Sequence, residues 1–521
     1  MTIIPLNRIT NALQRLITAL EELQTPLANY FLTLACIIIL RNFLESFSHG
    51  NAGNLFYINY PPIFLLSEFV HFSLFYIFIA LILTLIVHYL TQENIQNIIK
   101  VLFPAFILIL SVPCIDLIFS GGKGQHIGYI FPNAEHSWLY YYVTLLNSIP
   151  NISWGIRLEI FTVVVIAICY LRGKQKNVFL ALLGTMIIYS AIFFILVTPY
   201  IIKYFTNAPH IDTQIKTQTA VNYFLLLILP LGINISYLAN KKLFLILAKD
   251  LRWLRLWHFE LMLILGIVLA TTQFNKTMIM PYIFLSTSIL FFWLAAVMLN
   301  NIPDQAIDRI ANPERPLVKY KINLKQYRTI AYTILGYNLI YALAVNLISF
   351  FIMSSVTFAY YIYSMPPLRL KRIPLLSKAI PSTTSLAIVL LGYINIHGNW
   401  QGFPQSLVWI FLIGFTLAAN LIDIKDYEGD KANSIRTIPV LLKPTLAKLV
   451  IGVAFILTSL AFYFYLQNVY LLPFLALAGI LGYYFINQKK YQEWQVFTVY
   501  LITIAILIIY ILVSKLCVGI N

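Results

Sequence analysis

The sequence predicts an all-α integral membrane protein of about fifteen transmembrane helices, and three observations carry that prediction. Of 521 residues, 60% are hydrophobic and 10% charged, with a mean hydropathy of +0.82. Soluble domains carry roughly 25% charged residues, so this chain lacks the charge to coat a water-facing surface. A soluble enzyme, a disordered chain and a nucleic-acid binder are excluded, despite a net charge of +16. The apolar residues also fall in runs of roughly 20, the length a helix needs to cross the hydrocarbon core. Finally, Lys and Arg gather in alternate segments between those runs, as cytoplasmic loops demand.

Taken in order, residues 1–25 are amphipathic, with Arg8 and Arg15 among Ile, Leu and Thr. They lack a short apolar core ahead of a small-residue cleavage site, so they read as a surface helix and not a cleaved signal peptide. Six spans are expected at about 27–46, 63–91, 99–120, 155–172, 178–202 and 219–239. Nine more follow at about 257–273, 279–299, 328–346, 347–363, 379–396, 405–421, 444–466, 470–487 and 494–515, and almost no polar residue separates the third of these from the fourth. Basic loops such as 241–255, 309–325, 369–378, 425–443 and 489–490 then put the N-terminus and these loops inside and the C-terminus outside. The cationic stretch at 240–256 suggests two membrane domains, 1–242 and 243–521. Cys36, Cys114, Cys169 and Cys517 lie in or beside apolar runs without pairing or ligand spacing, so neither disulfides nor a zinc site is expected.

The acidic residues are more informative. From Asp250 onward there are ten, and seven sit in two short loops, each directly after an apolar span. Acidic groups at membrane-helix ends are costly without a cation or partner. In NNIPDQAID, the residues Asn300, Asp304 and Asp308 are four apart and would form one stripe on a continuous helix, although Pro303 interrupts backbone hydrogen bonding. In DIKDYEGD, the three-then-four spacing places Asp423, Asp426 and Asp430 on one face. Mg²⁺ takes oxygen ligands and commonly bridges one or two carboxylates to phosphates. Two such faces aimed at each other could therefore hold metal ions and a diphosphate. Arg309, Arg315, Arg369, Lys371, Arg372 and Arg436 stand beside the clusters, and Arg forks suit phosphate oxygens. Any one of them is equally read as an orientation charge.

At these residues the chain resembles the UbiA family of intramembrane prenyltransferases. The segments are NNIPDQAIDRIANPERP (300–316), YSMPPLRLKR (363–372) and DIKDYEGDKANSIRTIPV (423–440). Three motifs in order, over about 250–521, imply a nine-helix bundle around a central cavity that opens at the cytoplasmic side. The resemblance implies Mg²⁺-dependent transfer of a prenyl group from an isoprenyl diphosphate to a lipophilic or aromatic acceptor within the lipid membrane. It makes Asn300, Asp304 and Asp308 one metal set and Asp423, Asp426 and Asp430 the other. Asp304, Asp308, Asp426 and Asp430 are then the catalytic carboxylates. Diphosphate would be bound by Arg315, Lys371 and Arg436, with Arg369 beside them, and the Tyr363 ring face would stabilise the carbocation. This sequence departs from the family in Asn301, where an Asp is usual, in Pro303, and in Lys319-Tyr320-Lys321, where many members have a Ser-Gly turn. Asn301 lies about 100° around the helix from Asn300, turned away from the metal stripe.

The first half carries no comparable motif. Its intramembrane polar residues suggest pairs of Glu68 with His71 and of Asp116 with Arg157, either as a site or as packing pins. Rival readings are a membrane terpene cyclase, a catalytically silent scaffold and a cation transporter. A transporter calls for acidic groups at mid-membrane on broken helices, whereas both clusters here sit at helix ends.

Overall fold

The computed structural model describes residues 14–15, 17–48, 62–122, 129–130, 138–143, 152–174, 177–206, 213–271, 273, 278–374, 376–432 and 435–518. The chain divides into two compact units, Met1–Phe244 and Leu245–Asn521. Regular structure among the described residues is entirely helical, and 14 helices are long and apolar enough to cross a bilayer. A further helix of 22 residues, Leu324–Val345, covers the expected span 328–346. Its length suffices, but Lys325, Gln326, Arg328 and Asn338 make it more polar than the rest. The protein is an integral, multi-pass membrane protein.

The N-terminal unit contains spanning helices α1 (Leu27–Ser48), α2 (Pro62–Thr91), α3 (Ile95–Phe119), α4 (Trp154–Lys174), α5 (Val178–Thr206) and α6 (Thr213–Ala239). Its buried charges mostly act locally. Asp116 accepts a 2.7 Å hydrogen bond from the Gly155 N–H, so a carboxylate sits at the positive N-terminal end of α4. A Cβ on Gly155 would lie 2.5 Å from the Val112 carbonyl oxygen, so only glycine permits this approach. Arg157 does not join Asp116 as the sequence suggested. It donates to the Ile152 carbonyl at 3.1 Å and lies 4.9 Å above the Trp154 ring. Arg41 pairs with Glu45 one turn on and stacks over Tyr76. His71 Nε2 meets the Tyr129 hydroxyl at 2.6 Å. The Glu68 side chain, residues 1–13, most of the loop 121–138 and residues 207–212 of the loop 204–217 lie outside the described residues.

The C-terminal unit contains α7 (Trp253–Ala270), α8 (Ile279–Asn301), α9 (Leu324–Val345), α10 (Leu347–Ser364), α11 (Leu376–His397), α12 (Gln405–Ile424), α13 (Pro444–Leu466), α14 (Val469–Asn487) and α15 (Glu493–Val518). The pairs α7–α11, α8–α9 and α13–α14 pack most extensively. Lipid supplies no hydrophobic drive between spans, so close backbone approach and interhelical hydrogen bonds take its place. Gly266 of α7 and Gly392 of α11 meet across the first pair. A Cβ on Gly266 would stand 2.0 Å from the Val389 carbonyl oxygen, and one on Gly392 would stand 2.4 Å from that of Leu263. Across α8–α9, Ser288 donates to Asn338 Oδ1 at 2.7 Å, and Asn338 donates to Thr357 of α10 at 2.8 Å.

One extended residue, Asn346 (φ −173°, ψ 171°), separates α9 from α10 and caps the second helix by accepting from the Ser349 N–H. Helix α12 is irregular. It passes through a π-helical turn at Ile410–Phe415 and tightens to 3₁₀ over Ala419–Ile424, immediately at the second acidic cluster. Such turns re-aim the side chains that follow them.

Replacing Gly266 or Gly392 by Ala drives a methyl group into opposing backbone and is expected to cost about 1–3 kcal/mol. Gly336, with nothing within 4 Å of a built Cβ, is the matched control. Thermal unfolding in detergent should show a lowered Tm for the first two variants and none for Gly336→Ala.

Candidate active site

The two acidic clusters converge on one cavity in the C-terminal unit, of about 280 Å³. Asn300, Asp304, Asp308, Asp423, Asp426 and Asp430 all line it. The expected single stripes are nevertheless broken. Helix α8 ends at Asn301, and Asp304 starts the separate short helix Gln305–Ala311. Asp423 belongs to the 3₁₀ end of α12, whereas Asp430 lies in the short helix Tyr427–Ala432. Pro303 accounts for the first break, because its nitrogen cannot continue the ladder.

What ties the clusters together is Asn312. Its amide donates to Asp308 Oδ1 and to Asp426 Oδ1, each at 3.3 Å. The other carboxylates face cations. Asp304 is paired with both Arg369 and Lys371, and Lys371 also donates to Asn300 Oδ1 at 2.8 Å. Lys378 donates to Asp423 Oδ1 at 2.5 Å. Arg315 lies 4.0 Å from Asp308 and 3.0 Å from Asp250. Arg255 donates to Glu493 at 2.5 Å, and Lys425 pairs with the same carboxylate.

Burial sets the protonation of these groups. It pushes Asp430 up to about 7, aided by the charges of Asp423 and Asp426. It raises Asp308 to about 6, where Arg315 opposes and Asp304 adds to the rise. Lys371 is brought down to about 8 by burial against the pull of Asp304. Two arginines here, Arg252 (φ 54°) and Arg369 (φ 44°), hold left-handed backbone conformations. These are costly for a side-chain-bearing residue and persist only when surroundings fix them. Arg369 is fixed by bonds to Asp304 and to the Pro303 carbonyl, and Arg252 by a 3.0 Å bond to Asn301 Oδ1.

Of the residues singled out from sequence, Tyr363, Arg315 and Lys371 line the cavity. Arg369 reaches it only through Asp304, and Arg436 is exposed and outside the lining. Asn301 does turn away from the cavity, but it is not idle. It is buried (1% exposed) and donates to Asp250 Oδ2 at 2.6 Å and to the Tyr327 hydroxyl at 3.0 Å. Arg252, Arg255, Lys378 and Asn312 also line the cavity. Sequence reasoning took the first three as orientation charges and passed over the fourth inside a motif. The rest of the wall is mostly aromatic and apolar, with Phe259, Trp293, Tyr360, Phe415 and Phe497, interrupted by His258, Tyr500 and several Ser and Thr hydroxyls.

Residues 261–513 match the model of the UbiA prenyltransferase family. The chain is 28% identical over 237 residues to a digeranylgeranylglyceryl phosphate synthase of Sulfolobus acidocaldarius, covering 44% of this chain and 82% of that protein. A homogentisate phytyltransferase of Synechocystis is 30% identical over 160 residues, 28% of this chain and 52% of that one. Among solved structures, a UbiA homolog from Archaeoglobus fulgidus bound to GPP and Mg²⁺ aligns with a TM-score of 0.43 at 19% identity, covering 52% of this chain and 99% of that one.

The Asn301 bonds generate a stability prediction. Asn301→Ala removes the partner of Asp250 Oδ2, of the Tyr327 hydroxyl and of Arg252, leaving Asp250 with Arg315, and is expected to cost about 2–3 kcal/mol. Asn301→Asp sets a second carboxylate against Asp250 and should destabilise as well, relieved as pH falls and one carboxyl takes a proton. Melting temperatures of both variants between pH 5 and 8 check this.

Proposed function

Residues 261–513 belong to the UbiA prenyltransferase family, and from that premise we propose that this chain transfers a prenyl group from an isoprenyl diphosphate to a hydrophobic or aromatic acceptor within the membrane, using Mg²⁺. The observation that carries the reading is the Asn312 amide, which spans two carboxylates 118 positions apart in sequence, Asp308 and Asp426, at the charged end of the cavity.

The donor set suits a hard divalent cation. All six candidate ligands offer oxygen, and Asp423 Oδ2 is buried without a hydrogen-bond partner. Among the described residues no three acidic, imidazole or thiol groups close on one point, so each ion would meet only one or two carboxylates of its set at a time and would need phosphate oxygens and water for the rest. Asn300, Asp304 and Asp308 would hold one ion and Asp423, Asp426 and Asp430 the other, with the N-terminal unit supplying no ligand. Bound there, the metal neutralises charge on the leaving diphosphate.

The protein's own groups do the rest. Arg252 and Arg315 line the cavity with buried Nε–H groups that make no hydrogen bond, so both are ready to donate to diphosphate oxygens. Lys371 binds diphosphate as a point charge, while Arg369 holds Asp304. Apolar walls keep water from the allylic cation, and the rings of Tyr360 and Tyr363, with centroids 5.6 Å apart, present π faces to it. The positive-inside rule places this polar mouth and the N-terminus on the cytoplasmic side and the C-terminus outside.

In reconstituted protein, Asp304→Ala and Asp426→Ala should each lower prenyl transfer by roughly 10²-fold or more, and excess EDTA should abolish it. Lys371→Ala should raise KM for the prenyl diphosphate more than it alters the Mg²⁺ requirement. Full activity of either Asp variant, or in EDTA, overturns the reading. Because Asp308 and Asp430 are raised to about 6 and about 7, both must lose protons before binding metal. Mg²⁺ affinity, followed by calorimetry, should therefore weaken as pH falls from 7.5 to 5.5, with proton release on binding.

A further inference from the structure

Beneath the charged mouth lies a hydrogen-bonded chain that the metal and diphosphate do not use. His258 stands three residues along α7 from Arg255, about 4.5 Å further into the bundle. Its Nδ1 meets the Tyr500 hydroxyl of α15 at 2.6 Å, and its Nε2 meets Ser385 Oγ of α11 at 2.7 Å. Ser385 donates its single proton to the Pro381 carbonyl at 2.8 Å, so its oxygen accepts from His258 Nε2–H. Nδ1 is then the free-base nitrogen, and Tyr500 donates to it. One turn before Ser385, the Ser382 hydroxyl is 2% exposed and has no hydrogen-bond partner. All four side chains line the same cavity. A neutral imidazole held by two hydroxyls, next to an unengaged buried hydroxyl, is more than helix packing requires.

We propose that Tyr500 and His258 form a proton relay for an acceptor that attacks through an aliphatic alcohol oxygen, which is anchored by Ser382. The proposal rests on the prenyl-transfer reading and adds the acceptor class and the fate of its proton. The allylic C–O bond breaks and its electron pair leaves with the diphosphate. An acceptor oxygen lone pair forms the new C–O bond. The acceptor proton passes to the Tyr500 oxygen as the tyrosine's own proton moves to His258 Nδ1. Ser385 holds the imidazole in the required tautomer, and the proton afterwards returns to the departing diphosphate or to water. Arg255, the nearest cation on α7, is neutralised by Glu493.

The test uses the full chain in lipid nanodiscs with labelled geranylgeranyl diphosphate, Mg²⁺ and a singly prenylated glyceryl phosphate, with homogentisate as an aromatic comparison. Diphosphate release, prenylated acceptor and prenyl alcohol are measured separately. His258→Gln and Tyr500→Phe should lower ether formation by roughly 10²-fold while diphosphate release continues and the prenyl group is diverted to water as alcohol. Ser382→Ala should raise KM for the glyceryl acceptor and leave that for the prenyl diphosphate unchanged. Tyr500→Phe preserves shape, so it decides the matter if His258→Gln fails to fold. An unchanged ratio of ether to alcohol in Tyr500→Phe, or preference of the wild type for homogentisate, overturns the relay and leaves prenyl transfer standing. Absence of diphosphate release from the wild type overturns prenyl transfer itself, and the relay with it.

Discussion

Carboxylates set into the end of an apolar helical bundle lose their hydration and need opposite charge beside them, and the polar end of the C-terminal unit is organised around that need. Asp304 has Arg369 and Lys371, Asp423 has Lys378, and Asp308 has Arg315. Arg369 and Lys371 come from the segment between α10 and α11 and Lys378 from the first turn of α11, so charge compensation also ties the α8–α9 loop and the end of α12 to that one stretch of chain. Where compensation is thinnest, at Asp430, the carboxyl keeps its proton up to about pH 7. The same unmet demand makes the cavity receptive to further positive charge.

The second cluster of bonds, Asn301 with Asp250, Arg252 and Tyr327, supports the first from outside the cavity. Asp250 takes one bond from Asn301 and another from Arg315. The amide at position 301 thus fits its neighbour: a carboxylate there would face Asp250 at hydrogen-bond distance. The departure from the family motif is matched by a negative charge 51 positions earlier in the chain.

The spans were legible because hydrocarbon thickness imposes one length on all of them, and even the division between α9 and α10 fell at the lone polar Asn346. The clusters were legible because acidic residues are scarce here. Their geometry was not, because spacing assumes a continuous helix and both clusters sit where helices stop, at Pro303 and at the 3₁₀ end of α12. Arg252, Arg255 and Lys378 were hidden among charges that orientation alone explains. A lone histidine in an apolar run carries no spacing signal at all, and only the meeting of α7, α11 and α15 gives His258 its partners.

The junction at Asn346 has a consequence for biogenesis. With a single extended residue between α9 and α10, there is no hydrophilic loop to carry across the bilayer. Inserting either helix alone would strand the other in water, so the two must enter the lipid together, as one hairpin. Lys325 and Arg328 at its start and Arg369 and Lys371 just past its end then lie at the same side of the bilayer as each other. Assembly of that hairpin is what carries Lys371 and Arg369 to Asp304, so the charge balance of the cavity is completed only when α9 and α10 have inserted.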